Sequence, residues 1–380
     1  MMKKNIYKYL IYTILIVFLV MMARGILQEQ DTSSSDEGMN AVRAQVLEIT
    51  FDNTDKKPDK EGVNEYRYQE FRVRIKEGKH KGEIYWMRNT IETADVYNIH
   101  LDEGERILVS VSEDESGKIS NLHIYDKQRE NHLYLIIGIF FAIILIIGGY
   151  QGAKSIVTLV FTGIMIVGVL LPLILKGYNP VLVAVFVSTV VVCVTLIIIG
   201  GFSKKTVAAI LGTLGGVLIA GIIALAIGYS SQITGLANEN TQSLVYLLKY
   251  PDMDFRGILF AGIIIGALGA VMDVSMSISS AMHEMMDIKP DITRKQLTKS
   301  GMNVGKDIMG SMSNTLILAY TGGAIELMLL FMASKMTWRE IINLDMVAAE
   351  IIRAVSGSIG LACTIPLTAL ICAAMKSSKS

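Results

Sequence analysis

From residue 133 onward the chain is a succession of long apolar runs separated by short polar ones. The runs at 133–152, 156–175, 181–202, 207–229, 257–282, 307–332 and about 351–375 match the roughly 20 residues an α-helix needs to cross a bilayer. Pro172, Pro180 and Pro366 lie in or beside them, which membrane helices tolerate when neighbours satisfy the freed backbone groups. Ahead of these runs the pattern is different. Pieces at 41–50, 65–75, 83–90, 105–111 and 118–125 read as strands, with Phe71, Val73 and Ile75 alternating with Arg72, Arg74 and Lys76. Lys76-Glu77-Gly78, Asp102-Glu103-Gly104 and Glu115-Ser116-Gly117 supply turns between them. Five short strands of this kind predict a small OB-like or SH3-like barrel.

The N-terminus adds one more apolar run, 9–22, behind the basic Lys3, Lys4 and Lys8. Met21-Met22-Ala23-Arg24 lacks an A-x-A cleavage site, so 1–27 is expected to be an uncleaved membrane anchor. Residues 28–40 carry no core-building side chains and read as a polar tether. The expected organisation is therefore anchor (1–27), tether (28–40), β domain (41–131) and a seven-helix transmembrane domain (132–376).

Charge decides sidedness. Lys154, Lys204, Lys205, Lys289, Arg294, Lys295, Lys299, Lys306, Lys376 and Lys379 join the N-terminal lysines on one set of helix ends. Only Lys176, Lys249, Arg256, Lys335 and Arg339 mark the other. By the positive-inside rule both termini are cytoplasmic and the β domain is extracytoplasmic. The expected fold class is a polytopic α-helical membrane protein of about eight transmembrane helices, N-in and C-in, carrying a small extracytoplasmic all-β domain.

Composition agrees with this class: 380 residues are 52% hydrophobic, with no formal net charge, and mean hydropathy is +0.46. No whole-chain charge imbalance argues for a nucleic-acid partner. The three cysteines, Cys193, Cys363 and Cys372, all fall in expected spans, so no disulfide framework holds the β domain.

Ionisable groups inside apolar runs are costly and mark candidate sites. Asp273, Ser277, Ser280 and Glu284 recur at helical spacing, as do Asp307, Ser311 and Asn314 in the next run. Two neighbouring helices presenting these stripes to each other would form a polar cleft for an ion or small solute. The plainer alternative has the serines bonding back to the backbone and the carboxylates at headgroup level beside Lys306 or Arg294. Gly262, Gly266 and Gly269 have the spacing of a close helix contact. Thr337-Trp338-Arg339-Glu340 fits a capping box on a short interfacial helix. Glu350 and Arg353 stand at i, i+3 on the last run, as a structural pair or a gate.

Enzyme chemistry finds little support. His283-Glu284-Met285-Met286-Asp287 puts an aspartate where H-E-x-x-H needs its second histidine, and Pro290 soon ends the helix. An aspartyl dyad of Asp273 and Asp307 would have to share one proton in one site. No Walker A, G-x-S-x-G or C-x-x-C sequence occurs. No enzyme activity, cofactor or metal site is expected.

Three segments carry a resemblance: GAVMDVSMSISSAMHE at 269–284, GKDIMGSMSNTLILAYTGGAIELMLL at 305–330 and AAEIIRAVSGSIGLACTIPLTAL at 348–370. By their order and spacing, about 135–375 resembles the YibE/F family of bacterial multitransmembrane proteins. YQEFRVRIKEGKHKGE at 68–83 is similar to that family's extracytoplasmic domain. The resemblance implies a multi-pass protein of the bacterial cytoplasmic (plasma) membrane, described as a membrane protein or presumed permease, without an established activity or substrate.

Two functions are thus expected as alternatives. One is a transporter for an ion or small polar solute, with Asp273 as coupling site and Asn314 orienting the solute. The other is a membrane-anchored envelope assembly protein whose β domain binds a partner or polymer while the helices are structural. The expected partners are the lipid bilayer and an ion or small solute. An envelope polymer or protein at the β domain and a homo-oligomer stay open.

Overall fold

The computed structural model describes residues 40–54, 67–91, 99–114, 116–236, 239–247 and 253–376. The expected anchor, and the tether up to residue 39, lie outside the described residues. The chain divides into two compact units at Ile146/Ile147, and each is taken by itself.

The first unit is built on five strands: β1 (Asn40–Asp52), β2 (Arg67–Ile75), β3 (Ile84–Ile91), β4 (Arg106–Glu113) and β5 (Ile119–Lys127). Their antiparallel order is β3-β2-β1-β4-β5. β1 pairs with β2 on one side and β4 on the other, and register shifts at Val46/Glu48 and Ile49/Phe51 bend it. Such bulges strengthen twist, and the bent sheet brings its edge strands β3 and β5 together into a barrel-like form. Gly78, Gly104 and Gly117 take φ of +80°, +81° and +75° in the turns, a region that L side chains avoid. Alternation puts Phe71, Val73 and Ile75 inside with Val46, Ile107 and Val109, all at most 1% exposed.

Polar side chains join that core, chief among them Gln69. Gln69 is fully buried. Its Nε2 donates to Leu101 O (2.9 Å) and Asp52 Oδ2 (2.8 Å), and its Oε1 accepts from Leu101 N (3.0 Å). The amide thus stands in for a missing strand neighbour. Burial raises the Asp52 pKa, but hydrogen bonds from Thr54 and Gln69 and the charge of His100 outweigh this and leave it lowered.

Helix α1 (Glu130–Met165) starts in this unit, where Arg43 Nε meets Glu130 Oε1 at 2.6 Å. At Gly149 the backbone leaves helical space (φ +50°, ψ −127°), so α1 is two helices joined at a kink. The sequence pattern placed this break near residues 153–155; the Gly148-Gly149 pair moves it earlier.

The second unit is a helical bundle. After Gly149 come a π-helical turn (Ile166–Leu170), α2 (Leu171–Leu175), α3 (Pro180–Gly200), α4 (Lys204–Ser230) and α5 (Glu239–Leu247). Then follow α6 (Phe255–Ile288), α7 (Arg294–Gly323), α8 (Ile325–Ala333), α9 (Trp338–Ile342) and α10 (Asp345–Ala374). Among the described residues five helical runs are long and apolar enough to cross a membrane, or six if the bent pair α7–α8 is one span. The first run, Glu130–Leu175, is 46 residues, about 69 Å if straight and so long enough for two crossings. The stretch expected as one straight span at 307–332 is bent by 56° between Gly323 and Ile325. Gly322 and Gly323 precede the bend, a sequence that yields easily there.

The tightest packing is between α4 and α10. Along α4, Ala208, Gly212, Gly216, Ala220, Ala224 and Gly228 recur every fourth residue, all buried. Along α10, Ser356, Gly360, Thr364, Thr368 and Cys372 do the same. A Cβ built on Gly216 would lie 1.7 Å from Thr364 Oγ1, and one on Gly212 2.0 Å from Thr368 Oγ1. Small residues let two backbones approach where lipid supplies no hydrophobic drive. The glycine contact expected on α6 is narrower: a Cβ on Gly266 meets Tyr320 OH at 3.0 Å, but Gly262 and Gly269 face open space.

Two outcomes follow for stability. Gly216→Val should lower the melting temperature of the detergent-purified protein, with overpacking costing about 1–3 kcal/mol or more, whereas Gly262→Ala should change it little. Gly262→Ala destabilising as much as Gly216→Val would contradict the packing described. Gln69→Leu should cost about 2 kcal/mol by leaving the Leu101 N–H and C=O unpaired, read as loss of β-sheet signal at lower denaturant.

Candidate functional site

Helix α6 has two faces. Val271, Val274, Ser275, Ile278, Ser279 and Met282 point into the bundle and are buried. Asp273, Ser277 and Glu284 lie on the opposite face and are exposed, and Ser280 is half-buried. No hydrogen bond or ion pair engages the Asp273, Ser277, Ser280 or Glu284 side chain among the described residues. Helix α7 repeats the arrangement: Leu297, Gly301 and Gly305 are buried, while Asp307, Ser311 and Asn314 are exposed. Ser311 Oγ donates to Ile308 O at 3.0 Å, back into its own helix. The two stripes therefore turn away from the bundle core instead of lining a closed cleft inside it. The physical reason is volume: the α6 face that meets α4 and α10 carries the small and aliphatic residues, leaving the carboxylates outside.

The serines that do face inward are Ser275 and Ser279. Ser275 Oγ and Thr213 Oγ1 are 2.6 Å apart, and each lies 2.8 Å from Ala209 O, joining α6 to α4. Ser279 Oγ donates to Met276 O at 3.1 Å. Such back-bonding satisfies the hydroxyl within its own helix.

Two cavities open at opposite ends of α6, α7 and α10. One, about 620 Å³, lies at the α7–α8 bend, against Gly323, Glu326, Asp345, Glu350 and Arg353. Arg353 Nη1 donates to Glu350 Oε1 at 2.8 Å, so the pair spaced i, i+3 in the sequence borders this cavity. Asp345 holds its rim by accepting from the Thr234 hydroxyl and backbone N–H. The short helix α9 begins nearby in sequence with the expected capping box: Thr337 Oγ1 accepts from Glu340 N, and Glu340 accepts from Thr337 N. Bonds from the Thr337 N–H and hydroxyl hold the Glu340 carboxyl below its ordinary pKa. The second cavity, about 760 Å³, is lined by Lys204, Lys205, His283, Asp287, Arg294 and Lys376 among others. Neither cavity includes Asp273, Ser277, Ser280, Glu284, Asp307, Ser311 or Asn314. Periodicity within one helix finds faces but not which face closes a cavity; the basic residues of the second cavity come from three separate segments.

On the β unit, the outer face of β1–β3 alternates cations and rings. Arg72 stands 5.8 Å from the exposed Trp86 ring and Arg88 4.4 Å from Tyr68, which stacks on Phe51 at 5.0 Å. Glu48 and Glu70 neutralise these two arginines.

A small barrel-like sheet followed by a bundle of membrane-length apolar helices defines a membrane protein of the multi-pass helical class. The chain matches the YibE/F-like protein family over residues 136–378 and the YibE/F family N-terminal domain over 39–127. It belongs to the YibE/F family. No curated protein and no solved structure matches it.

The ion pair at the bend is open to direct test. Arg353→Gln alone should destabilise the purified protein more than Glu350→Gln/Arg353→Gln together, since the single change strands a half-buried carboxylate. The coupling should be about 0.2–0.5 kcal/mol, the scale for i, i+3 pairs on one helix. Additive effects in a double-mutant cycle would show that the two groups do not interact.

Proposed function

We propose that the protein is a non-enzymatic permease of the bacterial cytoplasmic membrane that moves an ion or small polar solute. In this reading the chain crosses about eight times, both termini are cytoplasmic and the β unit is extracytoplasmic. The observation that carries it is the pair of cavities at opposite ends of the same three helices. On α6 the cavity residues Gly262 and Ser279 are separated by about 25 Å of helix. That interval is filled by Ala267, Val271, Val274 and Ile278, all fully buried. Two aqueous mouths with a packed middle suit alternating access. A helix broken beside a charged pair is the arrangement transporters use to expose backbone groups to solute. The lysine-rich mouth also falls on the end that the charge bias assigns to the cytoplasm.

Glu350, bordering the cavity at the bend, is the coupling carboxylate in this proposal, and Arg353 is the group that neutralises it between solute-bound states. Asp273, on the outer face of α6, is the alternative coupling site.

A second reading, an envelope assembly protein, is favoured by the Arg72–Trp86 and Arg88–Tyr68 surface, which offers rings and guanidinium groups to a polymer or protein. The two are separated by measuring cation content and small-metabolite levels in cells expressing wild type, Glu350→Gln or Asp273→Asn at equal membrane abundance. The permease reading expects a change with wild type that Glu350→Gln abolishes and Asp273→Asn retains. Loss with Asp273→Asn alone would move the path to the outer faces of α6 and α7. Wild type and both variants indistinguishable from cells lacking the protein would sink transport and leave the assembly reading.

A further inference from the structure

The cavity at the α4/α7 end, one mouth in the permease reading, gathers cations for which neither reading supplies a ligand. Four cationic side chains line it, Lys204, Lys205, Arg294 and Lys376, against the carboxylates of Asp287 and Asp291. None of the four cations is in an ion pair among the described residues. Arg294 Nη2 donates to Lys376 O at 3.3 Å and Lys376 Nζ donates to Ile292 O, so these two side chains are held at the cavity wall by backbone carbonyls. His283 Nδ1 is buried there without a hydrogen-bond partner.

The same wall holds the first residues of two long helices. α4 begins at Lys204 behind the N-cap Ser203, and α7 begins at Arg294 behind a capping box of Thr293 and Gln296. Helix N-termini carry partial positive charge and are normally met by acidic residues. Here neither first turn holds an acidic residue, and both begin with two basic ones, Lys204-Lys205 and Arg294-Lys295. That arrangement opposes the helix dipoles. A positive-inside bias explains cations on this end of the bundle, but not their convergence from three segments on one cavity with two helix N-termini.

We propose that this cavity binds an anionic phosphate group, carried by free phosphate or by a net-negative phospholipid headgroup. Two helix N-termini, a guanidinium and three ammonium groups match the multiple oxygen acceptors of phosphate. The volume, about 760 Å³, exceeds that of phosphate alone and accommodates the group it is attached to. The proposal does not depend on transport, since binding is required of neither functional reading.

The test uses the full-length protein in neutral detergent and in lipid nanodiscs, read by thermal unfolding. The first arm titrates inorganic phosphate against chloride at matched ionic strength. The second compares phosphatidylglycerol with phosphatidylcholine nanodiscs. The expected result is a saturable rise in Tm in one arm, which names the source. Arg294→Gln should weaken that response about ten-fold, the loss of one charge-assisted bond, and Lys204→Gln/Lys205→Gln by at least as much, while Lys335→Gln should leave it intact. If the double variant does not fold, Arg294→Gln decides. A wild-type response equal for phosphate and chloride, and equal in the two lipids, overturns the proposal. So does an effect that survives unchanged in the cavity variants.

Discussion

The α4–α10 contact is the constraint from which the bundle follows. Every fourth residue on both helices is small, and at Gly212 and Gly216 not even a methyl group fits. Two backbones this close behave as one element, and α6 packs against both of them. Gly360, which in turn faces Ala220 and the Gly216 carbonyl, completes the lock from the other side. In lipid, where apolar surface gains nothing by pairing with apolar surface, such proximity and its dispersion contacts are what hold helices together.

With that contact in place, the polar groups have few locations left. Ser275 and Thr213 bridge α6 to α4 through one carbonyl. The carboxylates Asp273, Glu284 and Asp307 are excluded to the outer faces by the aliphatic inner ones. The two large cavities lie where the helices diverge. At one end the α7–α8 bend leaves room beside Glu350 and Arg353; at the other, the starts of α4 and α7 gather lysine and arginine. The functional proposals rest on these ends because the middle is solid.

The β unit solves its own problem in a different way. A five-stranded sheet of this length buries few large side chains, and Gln69 compensates by bonding the backbone of Leu101 from inside the core. Its outer face carries the exposed Trp86 and arginines set against aromatic rings.

Much of this was legible in the chain. All five strands stand within two residues of their expected starts, because period-two alternation and the glycine turns are local signals. The apolar runs, the Thr337–Glu340 capping box and the Glu350–Arg353 spacing are local too, and the family resemblance proved correct. The sequence alone thus determined which segments are strands or membrane-length helices, and which residues share a face. Tertiary structure decided which face is inside. The helical stripe of Asp273, Ser277, Ser280 and Glu284 is regular in the sequence, yet the opposite stripe of Ser275, Ile278 and Ser279 is the one that packs. The glycine spacing on α6 looked like a contact, but the tight one lies on α4 and α10, separated by more than a hundred residues. Likewise Lys204, Arg294 and Lys376 meet only because three helices end together. Periodicity is a property of one helix, whereas a cavity or an interlock belongs to several, and that depends on which small residues allow which backbones to touch.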